Sequence, residues 1–478
     1  MNDGGISALN LPALMLATLL LTAAVLYVLR GWEQLTALVA AALTGSLGLW
    51  LWQVDLSNPL RPLPFSTQVV DLTAPLTRAG FTWQLQAGAI PVITTSLLLA
   101  AVACLLAAFI NQGKSFAPLA LFLVAGYVSL ALMTAGPLAP TLVAPLFLAL
   151  LAGLNVFVLQ SGRLSHTGGP LRQLVPPVLA FPLFLVAFWY IDQMPLNPQD
   201  VVAPRTAAQL IGLGLLLLLA PVPLHGAQPA TAQSSPPLVH TLVTLLYQLA
   251  VLHLLFRVWL TFSFVEQSVA LREWLTIAGV ATAIWGGLAA IGTNHPGRLM
   301  GYAALHDWGL IILVLAIPGI RSWLLVFFLF SLRAASMMTA AAGLAMLEAR
   351  LGNLNPERLR GVATRLPWNS AAYLLGGLGL VGFPLSAGFT GHWAALQLIA
   401  ESDWLPAAIV LVASGGAIFS FIRLAREFYG PLENRHLARE GVVGAVFAIF
   451  VLLLSVSLAA APQWLDNPIT RTLTALRG

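Results

Sequence analysis

The chain has 478 residues, 59% of them hydrophobic and 8% charged, with a formal net charge of +5. That composition excludes a water-soluble domain of any size, and the absence of a basic patch with interleaved aromatics excludes a nucleic-acid surface. A single cysteine, Cys104, excludes an internal disulfide.

A helix needs about 20 apolar residues to cross the hydrocarbon core, and about fourteen such runs follow one another. They fall near 8–29, 33–54, 89–111, 117–135, 138–160, 173–192, 207–223, 237–258, 270–292, 297–318, 321–346, 368–400, 404–428 and 441–461. The runs are apolar all round and do not alternate, so an all-α polytopic membrane protein is expected rather than a barrel. The first run has one charge before it, Asp3, and is too long for the core of a signal peptide. The polar stretch 55–88 is expected at the membrane interface, and 347–367 as a linker or amphipathic helix. Tryptophans cluster at run ends, among them Trp32, Trp50, Trp52, Trp83, Trp404 and Trp464, as interface belts require.

If the runs alternate in direction, Arg30, Lys114, Arg163, Arg172, Arg298, Arg350, Arg358, Arg360, Arg365, Arg423, Arg426, Arg435 and Arg439 share one side. Arg61, Arg78, Arg205, Arg272, Arg321, Arg471 and Arg477 share the other. Basic loops mark the cytoplasmic side, so both termini are expected on the opposite one.

Two runs carry internal breakers: Ala220-Pro-Val-Pro-Leu-His-Gly-Ala-Gln-Pro229, and Gly379-Leu-Val-Gly-Phe-Pro-Leu-Ser-Ala-Gly-Phe-Thr-Gly-His392. Proline removes a donor and clashes with the preceding turn, so both helices should be interrupted at Pro223 and Pro384. The two prolines are 161 residues apart, and each falls in the fourth run of a five-run block. Paired breaks point to a transport site, although single prolines also kink membrane helices routinely.

Ionisable groups inside the spans are costly, and few remain. Asp307 and Arg333 sit near the middle of adjacent runs and are expected to pair, directly or through water. His253, His306 and His392 join them. His240, Thr244 and Gln248 recur every four residues and share a helix face. That face is either a hydrated path or a packed one. His392 either relays protons or caps carbonyls freed by the break, and His225 at the first break reads as a carbonyl-satisfying or interfacial group. His253 and Arg257 read as structural, with Arg257 snorkelling from a helix end. His306 points about 100° away from Asp307 around their helix. There is no metal-ligand cluster, phosphate-binding loop or nucleophile elbow in the sequence.

Four segments, in order, resemble the antiporter-like membrane subunits of complex I (NADH:quinone oxidoreductase), closest to subunit N and then subunit M. This family is shared with Mrp-type antiporters and membrane-bound hydrogenases. The segments are Pro223-Leu-His-Gly-Ala-Gln-Pro229 with Pro236-Pro-Leu-Val239 and Arg257; Arg298-Leu-Met-Gly-Tyr-Ala-Ala-Leu-His-Asp-Trp-Gly309; Arg365-Leu-Pro367 with the second break; and Ser414 to Arg423. The resemblance implies two inverted five-helix repeats, here 117–258 and 259–430, after an N-terminal three-helix segment, 1–116, and before a C-terminal helix and tail, 431–478.

The resemblance also implies a line of lysines, glutamates and histidines that carries protons through the bilayer middle. This chain departs from it: its one lysine, Lys114, falls in a short loop. The family's lysine positions fall on Leu218, Gln248, Arg333 and His392, and its glutamate in the fifth helix has no counterpart. Leu218 and Gln248 cannot titrate, and arginine stays protonated, so it sets a field but carries no proton. The expected proton path therefore comprises Asp307, His306 and His392, with Arg333 as fixed charge and Gln248 and His225 as polar members. No cofactor is expected on this chain; by the same resemblance, partner subunits of the membrane arm would carry FMN, iron–sulfur clusters and quinone. A non-pumping structural homologue in the same arm, or a subunit of an Mrp-like antiporter or a hydrogenase, remains open.

Overall fold

The computed structural model describes residues 10–54, 56, 72–110, 112–135, 140–160, 168–197, 199–431 and 439–477. Asp3, Arg61, Arg163, Arg435 and most of 55–71 lie outside the described residues.

Every apolar run contains helix among its described residues. In chain order the helices are α1 (Leu11–Val28), α2 (Glu33–Gln53), α3 (Ala89–Phe109), α4 (Phe116–Leu132), α5 (Pro140–Gln160), α6 (Val175–Gln193), α7 (Val202–Leu219) and α8 (Ala227–Ser234). There follow α9 (Pro237–Thr261), α10 (Val269–Ile291), α11 (Pro296–Leu315), α12 (Ile320–Leu351), α13 (Pro367–Gly379), α14 (Phe389–Ser402), α15 (Trp404–Phe428), α16 (Val442–Ala460) and α17 (Asp466–Arg477). Among the described residues, 11 helices are long and apolar enough to cross a membrane, or up to 12 if a bent pair is counted as one span.

Local chemistry starts several of them. Proline, which brings no orphan N–H, opens α9, α11 and α13. Ser268 accepts from the Leu271 N–H at 3.3 Å to cap α10. Asp403 accepts from the Leu405 N–H at 3.0 Å to cap α15.

The centre of the bundle is α9, α11 and the inner length of α12, whose side chains are buried almost without exception. Peripheral helices turn Leu21, Val28, Leu150, Phe157 and Val412 outward, the apolar surface that lipid covers. Small residues bring the central helices together. A Cβ on Gly286 would strike the backbone of His306, and one on Gly309 would strike that of Ala283, so α10 and α11 touch backbone to backbone. Gly301 meets Pro229 and Ala232 of α8 in the same way.

The described part of the polar stretch 55–88 contains a small antiparallel sheet. β1 (Leu76–Arg78) pairs with β2 (Phe81–Trp83), which pairs with β3 (Met133–Ala135) at the end of α4. Trp83 Nε1 donates to Ser129 Oγ at 3.0 Å. Arg257 does not snorkel away from the bundle: its Nη1 donates to the Met133 carbonyl at 3.0 Å and ties α9 to this sheet. The tail after α16 is itself helical, since α17 follows a 94° bend.

Candidate functional site

Both expected interruptions exist. The first lies between α7 and α8, through a left-handed Ala220 (φ 47°) and a short 3-10 turn at Leu224–Gly226. A break at membrane depth frees backbone groups that lipid cannot satisfy. Neighbouring side chains take them here. Tyr247 Oη donates to the Leu218 carbonyl at 3.0 Å, and Trp308 Nε1 donates to the Leu219 carbonyl at 2.8 Å. Thr282 Oγ1 accepts from the Val222 N–H at 3.1 Å while donating to Ala278 at 2.6 Å.

The second break runs from the end of α13 to the start of α14. Gly382 (φ 66°) and Leu385 (φ 69°) both adopt left-handed backbone there. Glycine is required where the chain folds back on itself, because a Cβ on Gly388 would overlap the Gly379 carbonyl. His392, on the first turn of α14, packs its ring on Gly382 and points Nδ1 at the Gly388 carbonyl, 3.0 Å away.

Between the breaks lies a buried line of polar groups. Asp307 and Arg333 meet: Arg333 Nη1 lies 2.6 Å from Asp307 Oδ2, with the side chains 3% and 0% exposed. The same Nη1 donates to the Ala304 carbonyl at 2.7 Å, and Nε donates to Gln248 Oε1 at 3.0 Å. The guanidinium also sits 5.4 Å from the Trp308 ring centre, near enough for a cation–π contact. On the other side of the carboxylate, His392 Nε2 lies 3.5 Å from Asp307 Oδ1. His306 turns away from Asp307, as its place on the helix requires, yet its ring stacks near that of His392, with centroids 6.3 Å apart. Its Nδ1 faces the Ala283 carbonyl at 2.9 Å, a contact made possible by the close α10–α11 approach.

The tautomers follow from the partners. A carbonyl only accepts, so Nδ1 carries the hydrogen in both His306 and His392. The exchangeable position in each is Nε2, and neither Nε2 makes a hydrogen bond among the described residues. A neutral His392 would set a lone pair against a carboxylate oxygen. A proton gained at Nε2 turns that opposition into a charge-assisted pair. Asp307 lies against a guanidinium that carries a fixed positive charge.

On the far side of Gln248 a cavity of about 60 Å³ reaches the first break, lined by Asn155, Thr244, Tyr247, Gln248, Trp308 and His225 among others. Its size suits water, and Asn155, Tyr247 and Gln248 set polar groups into an otherwise largely apolar lining. His225 therefore stands across the cavity from the ion cluster, with its ring edge-on to Trp285 at 5.6 Å. His240 is tied to Thr231 Oγ1 at 3.0 Å and does not reach the cluster. Neither ring nitrogen of His253 has a partner among the described residues.

Sequence reasoning missed three contributors. Trp308 and Tyr247 close the first break, and an Asn155–Tyr127 pair (Asn155 Nδ2 to Tyr127 Oη, 3.0 Å) joins α5, whose run holds no acid, to α4. Each is a single polar atom in an apolar run, visible only as an interruption of it.

The chain is thus a bundle of apolar helices, with two spans opened around a buried and charge-paired centre. Residues 188–420, which include the central cluster and both breaks, match the family described as NADH:quinone oxidoreductase/Mrp antiporter, TM. This segment therefore resembles the transmembrane domain of that family. The chain is 27% identical over 309 residues to NADH-quinone oxidoreductase subunit N of Ectopseudomonas mendocina, covering 59% of this chain and 61% of that protein. It thus spans about three-fifths of the length of this curated relative.

Over nearly its whole length the fold is similar to a chain of the membrane-bound sulfane sulfur reductase, an archaeal respiratory membrane complex. The TM-score is 0.79, with 19% identity and 98% and 97% of the two chains covered. It is also similar to a chain of respiratory complex I from Thermus thermophilus, with TM-score 0.75, 18% identity, and 98% and 100% covered. These two likenesses concern the fold.

Proposed function

We propose that this chain is a membrane-arm subunit of a proton-translocating NADH:quinone oxidoreductase of the complex I type, and that it contributes a proton path or part of one. The observation that carries this reading is the buried line Gln248–Arg333–Asp307, with His392 Nε2 3.5 Å beyond the carboxylate, set between two opened helices. His392 takes and releases the proton at Nε2, Asp307 stabilises the imidazolium, and Arg333 fixes the charge of Asp307. His306, with its own free Nε2 beside His392, is the next member. Gln248 and His225 bound the cavity as polar, non-relaying groups.

Redox chemistry belongs to partner subunits carrying flavin, iron–sulfur clusters and quinone, so this chain has no catalysis of its own. The unequal split of basic residues puts both termini on the non-cytoplasmic side. The test is proton translocation by the assembled complex in vesicles. His392→Gln should lower the protons moved per electron pair while leaving assembly intact, and an unchanged ratio would exclude the path.

A second reading is favoured by one observation: no residue on the α7–α9 side of Arg333 supplies a carboxylate or lysine to the line. On that reading the chain is a structural homologue in the same arm. Co-purification separates both from an Mrp-like antiporter or hydrogenase module, which would carry no flavin-dependent quinone reduction.

A further inference from the structure

The C-terminal helix α17 lies along one end of the bundle, and open space remains on both of its flanks. Ile469 and Leu473 are buried while Thr470 and Arg471 are exposed, the one-sided pattern of a helix lying in an interface rather than crossing it. The flank facing α12 and α14 is a groove of about 540 Å³ lined by Arg321, Phe328, Leu398 and Asp466, among others. Its arginine is already held by Glu401 at 2.9 and 3.2 Å, and Asp466 adds a second acid, so no positive charge is left over.

The opposite flank differs. Between the end of α2 and the start of α3, a groove of about 310 Å³ is lined by Trp52, Val54, Leu56, Ile90, Pro91 and Arg471. Arg471 makes no hydrogen bond or ion pair among the described residues, and it is the one charged group among the described residues of that lining. Trp52 is half-buried on the last turn of α2, at the level where a span ends and an indole is at home. Among the described residues the groove thus offers a single unpaired cation at the interface above an apolar floor that runs into the membrane.

We propose that this groove binds one anionic phospholipid, with its phosphate on Arg471 and an acyl chain against Val54, Leu56, Ile90 and Pro91. A zwitterionic headgroup brings its own cation to the same place and gains less from Arg471. Bound there, the lipid joins α17 to the N-terminal helices α2 and α3, which α17 otherwise meets through few side chains.

The test uses the assembled complex in nanodiscs with photoactivatable phosphatidylglycerol or phosphatidylcholine, and maps the labelled peptides. Phosphatidylglycerol should label the start of α3 or α17 about five-fold more than phosphatidylcholine. Arg471→Gln should remove that preference, Arg471→Lys should keep it, and Arg321→Gln should leave it unchanged. Equal labelling by the two lipids in the parent overturns the proposal whether or not a variant assembles. Undiminished preference in Arg471→Gln, or a protein subunit crosslinked in the groove instead of lipid, overturns it as well.

Discussion

The two helix breaks solve one problem in opposite ways. At the first, the freed backbone groups are taken by neutral side chains, with Tyr247, Trp308 and Thr282 each filling one vacancy. At the second, the backbone folds tightly on itself around Gly388 and delivers an imidazole to a carboxylate. The first break is therefore closed by neutral side chains and opens onto a small cavity, and the second is tied to the ions. Arg333 is the hinge of the contrast, since it donates to Gln248 on one side and to Asp307 on the other. An opened helix does not by itself make a relay; the group set beside the opening decides what can move through it.

The largest expected effect comes from cutting the charged side. Asp307→Asn leaves Arg333 buried without a counter-charge, which should cost about 3–5 kcal/mol. Thermal unfolding of the solubilised complex would show this as a lower midpoint. Adding Arg333→Met to the same chain should restore much of the stability, because the pair then leaves no charge behind, while proton translocation stays absent. Recovery of translocation in the double variant would break the contrast between the two sides.

Next comes the fold of the second break. Gly388→Ala drives a methyl group into the Gly379 carbonyl and should destabilise by about 1–3 kcal/mol, read as loss of assembled complex. Tyr247→Phe at the first break strands the Leu218 carbonyl and should cost about 1–3 kcal/mol, with the protons moved per electron pair unchanged. A loss of translocation in Tyr247→Phe at full assembly would mean that the first side carries protons too. The smallest effect is expected at the exposed Arg321–Glu401 pair, where Arg321→Ala should shift stability by at most about 1 kcal/mol.

Much of this was legible in the sequence because lipid leaves so few choices. Apolar length located the helices, and Pro223 and Pro384 marked the two openings, since proline cannot hide in a membrane helix. Depth along adjacent runs brings Asp307 and Arg333 to the same level of the bilayer. Contacts set by backbone approach were not legible. The bond from His306 to Ala283 depends on Gly286 and Gly309 bringing two helices together, which no spacing within one helix reveals. Arg257 looked free to reach outward because its acceptor, the Met133 carbonyl, lies 124 residues away on a strand that hydropathy counts as the end of a span. The helix α17 did leave a signal, since Leu465, Ile469 and Leu473 recur every four residues in a segment otherwise read as a tail.

The central claim is that a proton comes and goes at His392 Nε2 while its Nδ1 stays committed to a carbonyl. Difference infrared spectroscopy on the assembled complex with isotope-labelled histidine, compared with His392→Gln, tests it most directly. Turnover should produce an imidazole-to-imidazolium band that disappears in the variant, with the Nδ1 hydrogen bond preserved. A spectrum identical in parent and variant would contradict the account.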